Sequence, residues 1–294
     1  MRNPISEKSS LMKGEHSQAD SASPNLLCAE GKPDLERLWA EVNTEARRIS
    51  EAEERLGALM EDVFLSRDSF GCAAAARLSR KLAREDMTRE ELFPLLVEIF
   101  QDHPQLVASL ASDTIAIFDR DPACTSVIQP LLYFKGFMAI STYRISHQLW
   151  KNKRHELAWY FQSLASEVFG VDIHPAAQIG CGILLDHATG LVIGETAIVE
   201  DDVSILHEVT LGGTGKQTGN RHPVVRSGVL IGAGAKILGR VEIGAGAKIG
   251  AGSVVLEDVA PGKTVAGVPA IVVGESSETN PAHAMDQSLR CSGL

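Results

Sequence analysis

The most restrictive feature of this 294-residue sequence is an aliphatic residue that recurs every six positions in its second half. The recurring positions are Ile173, Ile179, Leu185, Leu191, Ala197, Val203 and Val209, then Val225, Ile231, Ile237, Ile243, Ile249 and Val255. An α-helix repeats its apolar face every 3.6 residues and a half-buried strand every two, so neither explains this period. A period of six predicts a parallel β-helix in which each hexapeptide forms one flat side of a triangular coil. At about 18 residues per coil, the segment holds about four or five coils.

The series breaks between Val209 and Val225, which are 16 residues apart. Because 16 is not a multiple of six, residues from about 212 to 224 must loop out of the regular coil. This loop is rich in glycine, which lets backbone approach a ligand closely, and it contains Lys216 and Arg221-His222-Pro223. It lacks the GxxxxGK[ST] pattern of a P-loop. A triangular prism has little interior, so its binding sites must lie on outer faces, usually between subunits.

The chain before residue 171 favours helices. Leu35, Leu38, Trp39 and Val42 share one helical face. Further helices are predicted at about 51–65, 69–84, 88–101, 104–118 and 125–152, with another ending at 169; Thr88 and Glu91 match a capping box. The predicted fold class is α+β in sequence-separate domains, an all-α domain followed by a parallel β-helix. We expect a disordered tail over 1–32, an α-helical oligomerisation domain over 33–170, a catalytic β-helix over 171–273 and a flexible tail over 274–294.

Composition excludes several classes of protein. The formal charge of −10 argues against broad nucleic-acid binding, which needs a concentrated basic face. No apolar run approaches the roughly 18 residues of a membrane span. The five cysteines form no CxxC pair, so neither a disulfide framework nor a zinc site is indicated. We therefore expect a cytoplasmic protein without membrane or nucleic-acid partners.

Few polar residues of the hexapeptide region suggest chemistry by themselves. His187, between Asp186 and a small Ala-Thr-Gly stretch on an outer face, fits a catalytic base and a solvated histidine equally well. His174 precedes a proline at a coil corner, where a structural role is the better interpretation. His207 follows His187 one coil later but two positions displaced, so the two are not expected to stack. Asp121-Pro122, in the helical region, has the pattern of a helix-terminating turn.

Longer motifs carry a resemblance to a known family. The run Asp172-Ile-His-Pro-Ala-Ala177, the run Leu185-Asp-His-Ala-Thr-Gly190 and the loop Val209-Thr-Leu-Gly-Gly-Thr-Gly-Lys216 resemble bacterial and plant serine acetyltransferases. Three further motifs fit the same family: Arg120-Asp-Pro122, Pro130-Leu-Leu-Tyr-Phe-Lys-Gly-Phe137 and Ala266-Gly-Val-Pro-Ala270. The resemblance covers about residues 33–275 and implies that the β-helix is left-handed. The implied reaction transfers acetyl from acetyl-CoA to the hydroxyl of L-serine, giving O-acetyl-L-serine and CoA, the first step of cysteine biosynthesis.

By this resemblance His187 is the general base and Asp172 the carboxylate that orients it. An imidazole with a reference pKa near 6.5 can accept the proton of the serine hydroxyl as the new bond forms. A carboxylate on the other ring nitrogen fixes the tautomer and stabilises the imidazolium.

The resemblance also assigns substrate contacts. Serine is a zwitterion, so Arg221 suits its carboxylate, with His222 helping to hold it, while Asp121 and Asp186 suit its ammonium. Pro122 completes the substrate-binding set.

The acetyl-CoA cosubstrate is expected along the outer prism face at Gly213, Ala233, Lys248 and Ala251, with Lys248 near a phosphate. No metal is required.

The family further implies inhibition by L-cysteine and a homohexamer built as a dimer of trimers. A C-terminal tail that commonly ends in isoleucine enters the active site of O-acetylserine sulfhydrylase; here the last residue is Leu294.

Three alternatives remain open from the residues. Another hexapeptide acyltransferase, acting on a sugar or a different amino acid, would keep a base like His187 without needing Arg221 and Asp121 together. A zinc-dependent carbonic anhydrase on the same prism needs three converging imidazoles, and a third is not apparent. A non-catalytic scaffold would need none of these side chains.

Overall fold

The structure is a computed structural model that describes residues 26–27, 31–215, 218–276 and 278–289. Most of the predicted N-terminal tail lies outside these ranges. The helices are α1 (Leu35–Ala52), α2 (Glu54–Met60), α3 (Phe70–Leu82), α4 (Arg89–Asp102), α5 (Pro104–Arg120), α6 (Gln129–Tyr133), α7 (Lys135–Lys151), α8 (His155–Phe169) and α9 (Pro281–Ala284). A π-helical turn, Glu61–Leu65, continues α2. None of the described helices is long and apolar enough to cross a membrane.

Local sequence signals explain where these helices begin. Asp34 caps α1, because its side chain accepts a hydrogen bond from the backbone N–H of Arg37 at 3.0 Å. The predicted capping box at α4 is confirmed: the backbone N–H of Thr88 donates to the Glu91 carboxylate at 2.8 Å.

The long helix predicted over 125–152 is in fact two helices. The short α6 ends at Tyr133, Phe134 has extended backbone, and α7 begins at Lys135. Gly136 then packs so tightly on the first β-coil that an added Cβ would lie 1.9 Å from the carbonyl oxygen of Leu185. The break lets α7 start at the position where this contact is made.

The second half forms a three-sided solenoid. Side one contains β1 (Val171–Ile173), β4 (Leu191–Ile193), β7 (Thr210–Gly212), β10 (Lys236–Leu238) and β13 (Val254–Val255). Side two contains β2 (Gln178–Ile179), β5 (Ile198–Val199), β8 (Val224–Val225) and β11 (Glu242–Ile243). Side three contains β3 (Leu184–Leu185), β6 (Ser204–Ile205), β9 (Leu230–Ile231), β12 (Lys248–Ile249), β14 (Lys263–Gly267) and β15 (Ala270–Glu275). The pairings between these strands are parallel except that of β14 with β15, which closes the far end as an antiparallel pair.

The residues of the predicted series are buried, but they do not form continuous columns. After Leu185 the columns run two residues later than predicted, because Ile173 pairs with Ile193 and not with Leu191. Of the thirteen residues of the six-residue series, twelve are buried, and Ile179 is partly buried against the core. The interruption is also confirmed, because strand Thr210–Gly212 is followed by a loop that ends at Val224. Buried aliphatics stacked coil upon coil are therefore what holds the solenoid together.

Coil length varies more than the sequence period suggested. Val171 pairs with Leu191, 20 residues on, whereas Ile193 pairs with Leu211, 18 residues on. The first coil is therefore two residues longer than predicted. Since Leu185 pairs with Ile205, His187 and His207 occupy equivalent places in adjacent coils. The expectation that they are offset by two positions was wrong, because it assumed a constant coil length.

Side chains of the helical region cover the exposed edge of the first coil. Tyr143 Oη donates to the carbonyl of Ala177 at 2.5 Å, and His147 Nδ1 donates to that of Pro175 at 2.7 Å. Arg144, buried together with Asp113, donates to the carbonyl of Gly180 at 2.7 Å. The helices thus form a cap on the solenoid.

Candidate active site

The first group of polar residues lies at the corner between sides three and one, which we call the base corner: Asp186, His187 and His207. The His187 side chain is 74% exposed, and its Nε2 lies 3.6 Å from a carboxylate oxygen of Asp186. The rings of His187 and His207 are 5.8 Å apart, edge to face at 69°. The first coil has two more residues than the second, and they lie at this corner. The longer turn places the His187 side chain further out. The corner therefore presents an accessible imidazole beside a carboxylate.

Asp186 sits in an electrostatic environment that disfavours its charge. Burial raises the pKa of the Asp186 carboxyl; His187 opposes the rise and the negative charge of Asp121 adds to it. Asp121 ends α5 and accepts a hydrogen bond from the backbone N–H of Ala123 at 2.8 Å, as the helix-terminating interpretation predicted. Two carboxylates that repel one another next to an imidazole form a site suited to a cation.

Asp172 lies in the middle of β1 between buried Val171 and Ile173, so its side chain points out of the solenoid. Its carboxylate accepts a hydrogen bond from Gln162 Nε2 of α8 at 2.7 Å. Among the described residues, the acid within 4 Å of the His187 imidazole is Asp186. The structure therefore places Asp172 on the adjoining side without bonding it to His187.

A second group lies at the corner between sides one and two, which we call the arginine corner: His174, Glu195, Thr196, Arg221 and His222. Arg221 Nη2 pairs with Glu195 at 2.8 Å. Its backbone N–H and that of His222 donate to Thr196 Oγ1 at 3.0 and 3.2 Å. The end of the glycine-rich loop is thereby fixed onto the coil below it.

His222 is held with a defined tautomer. The backbone N–H of Thr196 donates to His222 Nδ1 at 3.1 Å, so in the neutral ring the proton resides on Nε2. Burial, and then the neighbouring Arg221 charge, lower the pKa of His222. The ring occupies the space where residue 194 would carry a Cβ, since that atom would lie 2.1 Å from it. Gly194 therefore makes room for a neutral N–H donor at this corner.

The two corners are separate on one protomer. Strand Leu191–Ile193 leads from the base corner to the arginine corner, and three residues of strand span about 10 Å. The structure thus brings together Asp121, Asp186 and His187, and separately Arg221 and His222. One chain alone does not gather all the predicted substrate contacts around one ligand.

The predicted acetyl-CoA contacts are also divided. Ala233 and Ala251 continue the base corner into the next two coils, because Gly234 N–H donates to the His207 carbonyl and Gly252 N–H to that of Ala233. Gly213 instead lies beside Arg221. Lys248 is buried, with its amine donating to the carbonyl of Ser288 at 2.6 Å, so the C-terminal segment covers it.

Sequence reasoning did not assign a role to several residues of these corners. His207 was misplaced by the constant coil length, and the register of neighbouring strands was the missing signal. Glu195 and Thr196 carry no motif of their own. Within the described ranges, no three His, Cys, Asp or Glu side chains lie close enough together to bind a metal ion.

A capped solenoid with a histidine and acids on one outer corner fits a hexapeptide-repeat acyltransferase. The family described as bacterial transferase hexapeptide (six repeats) matches residues 222–257, and the serine acetyltransferase N-terminal family matches residues 38–142. A serine acetyltransferase from Salmonella typhimurium is 50% identical over 254 residues, which are 86% of this chain and 93% of the relative. The chain belongs to the serine acetyltransferase family.

Solved structures agree with this membership. A serine acetyltransferase in complex with cysteine has a TM-score of 0.84 and 48% identity, covering 86% of this chain and 98% of that one. A Brucella abortus serine acetyltransferase in complex with coenzyme A has a TM-score of 0.80 and 48% identity, covering 82% and 96%. The solenoid is therefore the left-handed β-helix of hexapeptide repeats.

Proposed function

We propose that this protein transfers the acetyl group of acetyl-CoA to the Oγ of L-serine, producing O-acetyl-L-serine and CoA. The observation that carries the proposal is the exposed His187 imidazole beside the Asp186 carboxylate, in a chain of this family. As serine Oγ attacks the thioester carbon, its proton passes to His187 and the carbonyl electron pair moves onto oxygen. When the tetrahedral intermediate collapses, the C–S bond breaks and the CoA thiolate takes the proton from His187.

Asp172 orients the His187 ring and stabilises its protonated form. Its outward position on side one supports this role. Because Gln162 occupies one of its oxygens, the second oxygen is the one left for the imidazole. The Asp172→Asn substitution is expected to lower kcat while leaving the affinity for acetyl-CoA unchanged.

Serine recognition uses both corners. Asp121 and Asp186 bind the ammonium group, with Pro122 shaping the turn beside them, and Arg221 and His222 bind the carboxylate. Since the corners are about 10 Å apart on one chain, a complete site forms where the base corner of one protomer meets the arginine corner of the next. This arrangement supports a trimer with sites at its seams, and the helical cap is the element that would join two trimers into a hexamer.

Acetyl-CoA lies along the outer face past Ala233 and Ala251, with Gly213 contributing from the neighbouring arginine corner. Small side chains at these positions leave backbone open to the amide-bearing arm of the cosubstrate. Lys248 would bind a phosphate only after the segment around Ser288 moves aside, because its amine now bonds there and lies 3.7 Å from Asp286.

L-Cysteine differs from L-serine by sulfur for oxygen, so the same charged groups should hold it. The relative crystallised with cysteine supports cysteine as a feedback inhibitor of this enzyme. Inhibition is expected to compete with serine, and Arg221→Ala is expected to weaken both ligands together. Noncompetitive inhibition that survives Arg221→Ala would place cysteine elsewhere.

A complex with O-acetylserine sulfhydrylase remains a proposal about residues 290–294, which lie outside the described ranges. Capture of a chain end uses the carboxylate and one apolar side chain. Leu294 has the volume of isoleucine, but its side chain branches at Cγ and not at Cβ. Such a mismatch in shape commonly weakens binding by about tenfold. A ten-residue tail peptide should bind weakly and its Leu294→Ile version more tightly.

We also place the reaction in the cytoplasm.

The decisive experiment measures thiol release from acetyl-CoA with each of the twenty amino acids. Serine alone should give rapid, saturable release, with cysteine suppressing it. Faster release with a different amino acid, or with a sugar acceptor, would overturn the assignment of the substrate.

A further inference from the structure

The segment that carries His187 is a turn over residues 186–190, which we call the base turn. It contains the two residues by which the first coil exceeds the second. His187 and Ala188 both have left-handed backbone, with φ of 56° and 58°, a conformation that side chains with a Cβ rarely adopt. The orientation of the His187 ring therefore depends on a turn that is long and conformationally unusual.

Backbone hydrogen bonds hold the two ends of the base turn. Asp186 N–H donates to the Ile205 carbonyl at 2.9 Å, and Gly190 N–H donates to the Gly170 carbonyl at 2.8 Å. Between these points, Thr189 N–H donates to the carbonyl of His187 at 2.8 Å, which closes the turn on itself, and the Thr189 carbonyl accepts from the N–H of Glu208 at 2.7 Å. The backbone of His187 is thus directly coupled to Thr189.

One side chain from the helical cap reaches this coupled position. The amine of Lys135, the first residue of α7, donates to Thr189 Oγ1. Thr189 is exposed, so its hydroxyl is not fixed by packing, and Lys135 is half-buried. The contact is a direct link between the cap and the turn that carries the base.

The origin of the Lys135 side chain is itself fixed. The next residue, Gly136, seats α7 against the Leu185 carbonyl, one residue before the base turn. The backbone of Lys135 therefore cannot shift relative to the first coil without breaking this contact. Because its backbone is fixed there, the Lys135 side chain can restrain Thr189 although its aliphatic part is flexible.

We infer that Lys135 is a positioning residue for the acetyl transfer, because its bond to Thr189 holds the base turn in the conformation that aims His187 at the acceptor hydroxyl. This inference rests on the proposed function, since it requires His187 to be the base. Lys135 acts through Thr189 and His187 and needs no contact with either substrate. A displacement of about 1 Å at a reacting group can lower a rate by about a hundredfold, so the loss of one such restraint has a measurable effect.

The test is a double-variant cycle on kcat with Lys135→Met and Thr189→Val. Methionine keeps the length of the side chain and valine keeps the shape, while each removes one partner of the hydrogen bond. We expect each single variant to lower kcat by roughly tenfold, and the double variant to be no slower than the slower single variant. The KM values for serine and acetyl-CoA should stay within about threefold, because no substrate contact is lost.

Rescue and control variants complete the design. Lys135→Arg and Thr189→Ser retain a donor and an acceptor and should keep kcat within about threefold of wild type. Lys151→Met removes an exposed lysine from the last turn of the same helix and should leave kcat unchanged. Melting temperatures of all variants separate positioning from loss of folded enzyme; if Lys135→Met does not fold, Thr189→Val tests the same bond.

Several outcomes would overturn the inference. These are wild-type kcat in folded Lys135→Met or Thr189→Val, multiplicative losses in the double variant, and a loss in KM rather than in kcat. Wild-type enzyme without serine-dependent thiol release would instead overturn the proposed function. An active wild type that loses activity in His187→Ala and not in Lys135→Met would overturn this inference alone.

Discussion

At the residue scale, the left-handed pair His187-Ala188 has an energetic cost that glycine would avoid. Each such residue costs on the order of 1 kcal/mol, and such strain persists where the surroundings enforce it. Glycine at 187 would remove the cost together with the imidazole. The base is therefore kept at a position where the backbone alone would favour a different residue, which is typical of functional sites.

Replacement of the base is the first prediction. His187→Ala should lower kcat by roughly 10²–10⁴, the usual contribution of a positioned acid or base. The melting temperature should change little, because the ring is largely exposed. His103→Ala, a histidine of the helical cap, is the control and should keep wild-type turnover. A His187→Ala enzyme with normal turnover would show that another group takes the serine proton.

The second prediction concerns Asp186, whose pKa is raised chiefly by burial. A carboxyl with a raised pKa binds its proton more tightly when folded, so its ionisation destabilises the fold as pH rises through that pKa. Asp186→Asn should therefore raise the melting temperature at pH 7 and raise it by less at pH 4, because the ionised fraction of the native carboxyl falls as the pH falls. It should also raise the KM for serine roughly tenfold, because the ammonium loses a charged partner.

Melting curves at the two pH values and serine titrations test both halves of that expectation. Equal melting shifts at pH 4 and pH 7 would mean that ionisation of Asp186 does not influence stability. An unchanged KM would remove Asp186 from the serine site.

The sequence predicted which residues belong to the site better than it predicted which of them lie next to one another. The family motifs pointed to Asp121, Asp186 and His187, and the structure brings these three together. No sequence signal paired Glu195 with Arg221, since the salt bridge spans an irregular loop whose path depends on tertiary contacts. The position of His207 was missed for another reason: Leu191 and Ile193 are both aliphatic, so the six-residue series continues past the two extra residues of the first coil.

At the element scale, the placement of α7 depends on one residue without a side chain. Gly136, in the first turn of α7, lies directly against the Leu185 carbonyl. The first turn of the helix therefore supports the strand that carries the base corner. The sequence predicted a helix here with a kink or a late start at Pro130, but it did not place the break at Phe134, whose extended backbone separates α6 from α7.

The third prediction uses two glycines that both lie inside helices. Gly136→Ala would place a Cβ 1.9 Å from a backbone oxygen, so we expect a loss of about 3 kcal/mol or more and a melting temperature lower by roughly 6 °C or more. Gly57→Ala in α2 meets only Ser50 Oγ at 3.4 Å, and should gain about 0.5–1 kcal/mol from helix propensity. Calorimetry on both variants is the measurement. Equal stability of the two would contradict the close packing of α7 on the first coil.

At the scale of the whole molecule, the separation of the two corners makes assembly part of the proposed chemistry. A cyclic trimer closes with one kind of interface repeated three times, so each base corner meets one arginine corner. The sequence predicted sites on outer faces from the narrow interior of the prism. The distribution of the residues between corners needed the strand register, which depends on the lengths of the individual coils.

The fourth prediction tests this sharing by co-expressing two inactive variants. His187→Ala and Arg221→Ala protomers in one trimer should regain about a quarter of wild-type activity, because random mixing leaves that fraction of seams with both corners intact. His187→Ala mixed with His187→Asn is the control; both changes lie at the same corner, so no seam is restored. Equal activity of the two mixtures, or a stable monomer in sedimentation, would contradict shared sites.

The cap on the first coil also sets the order in which the parts of the solenoid can fold. The residues that cover its edge, Tyr143, Arg144 and His147, precede every strand of the solenoid in the chain. On a ribosome the helical half emerges and folds first. Each new coil that leaves the exit tunnel then pairs with the cap or coil that has folded before it, and it contacts only that one layer. Growth stops when β15 turns back on β14, so the solenoid begins against a prepared template and ends with an antiparallel strand that covers the last parallel edge of side three.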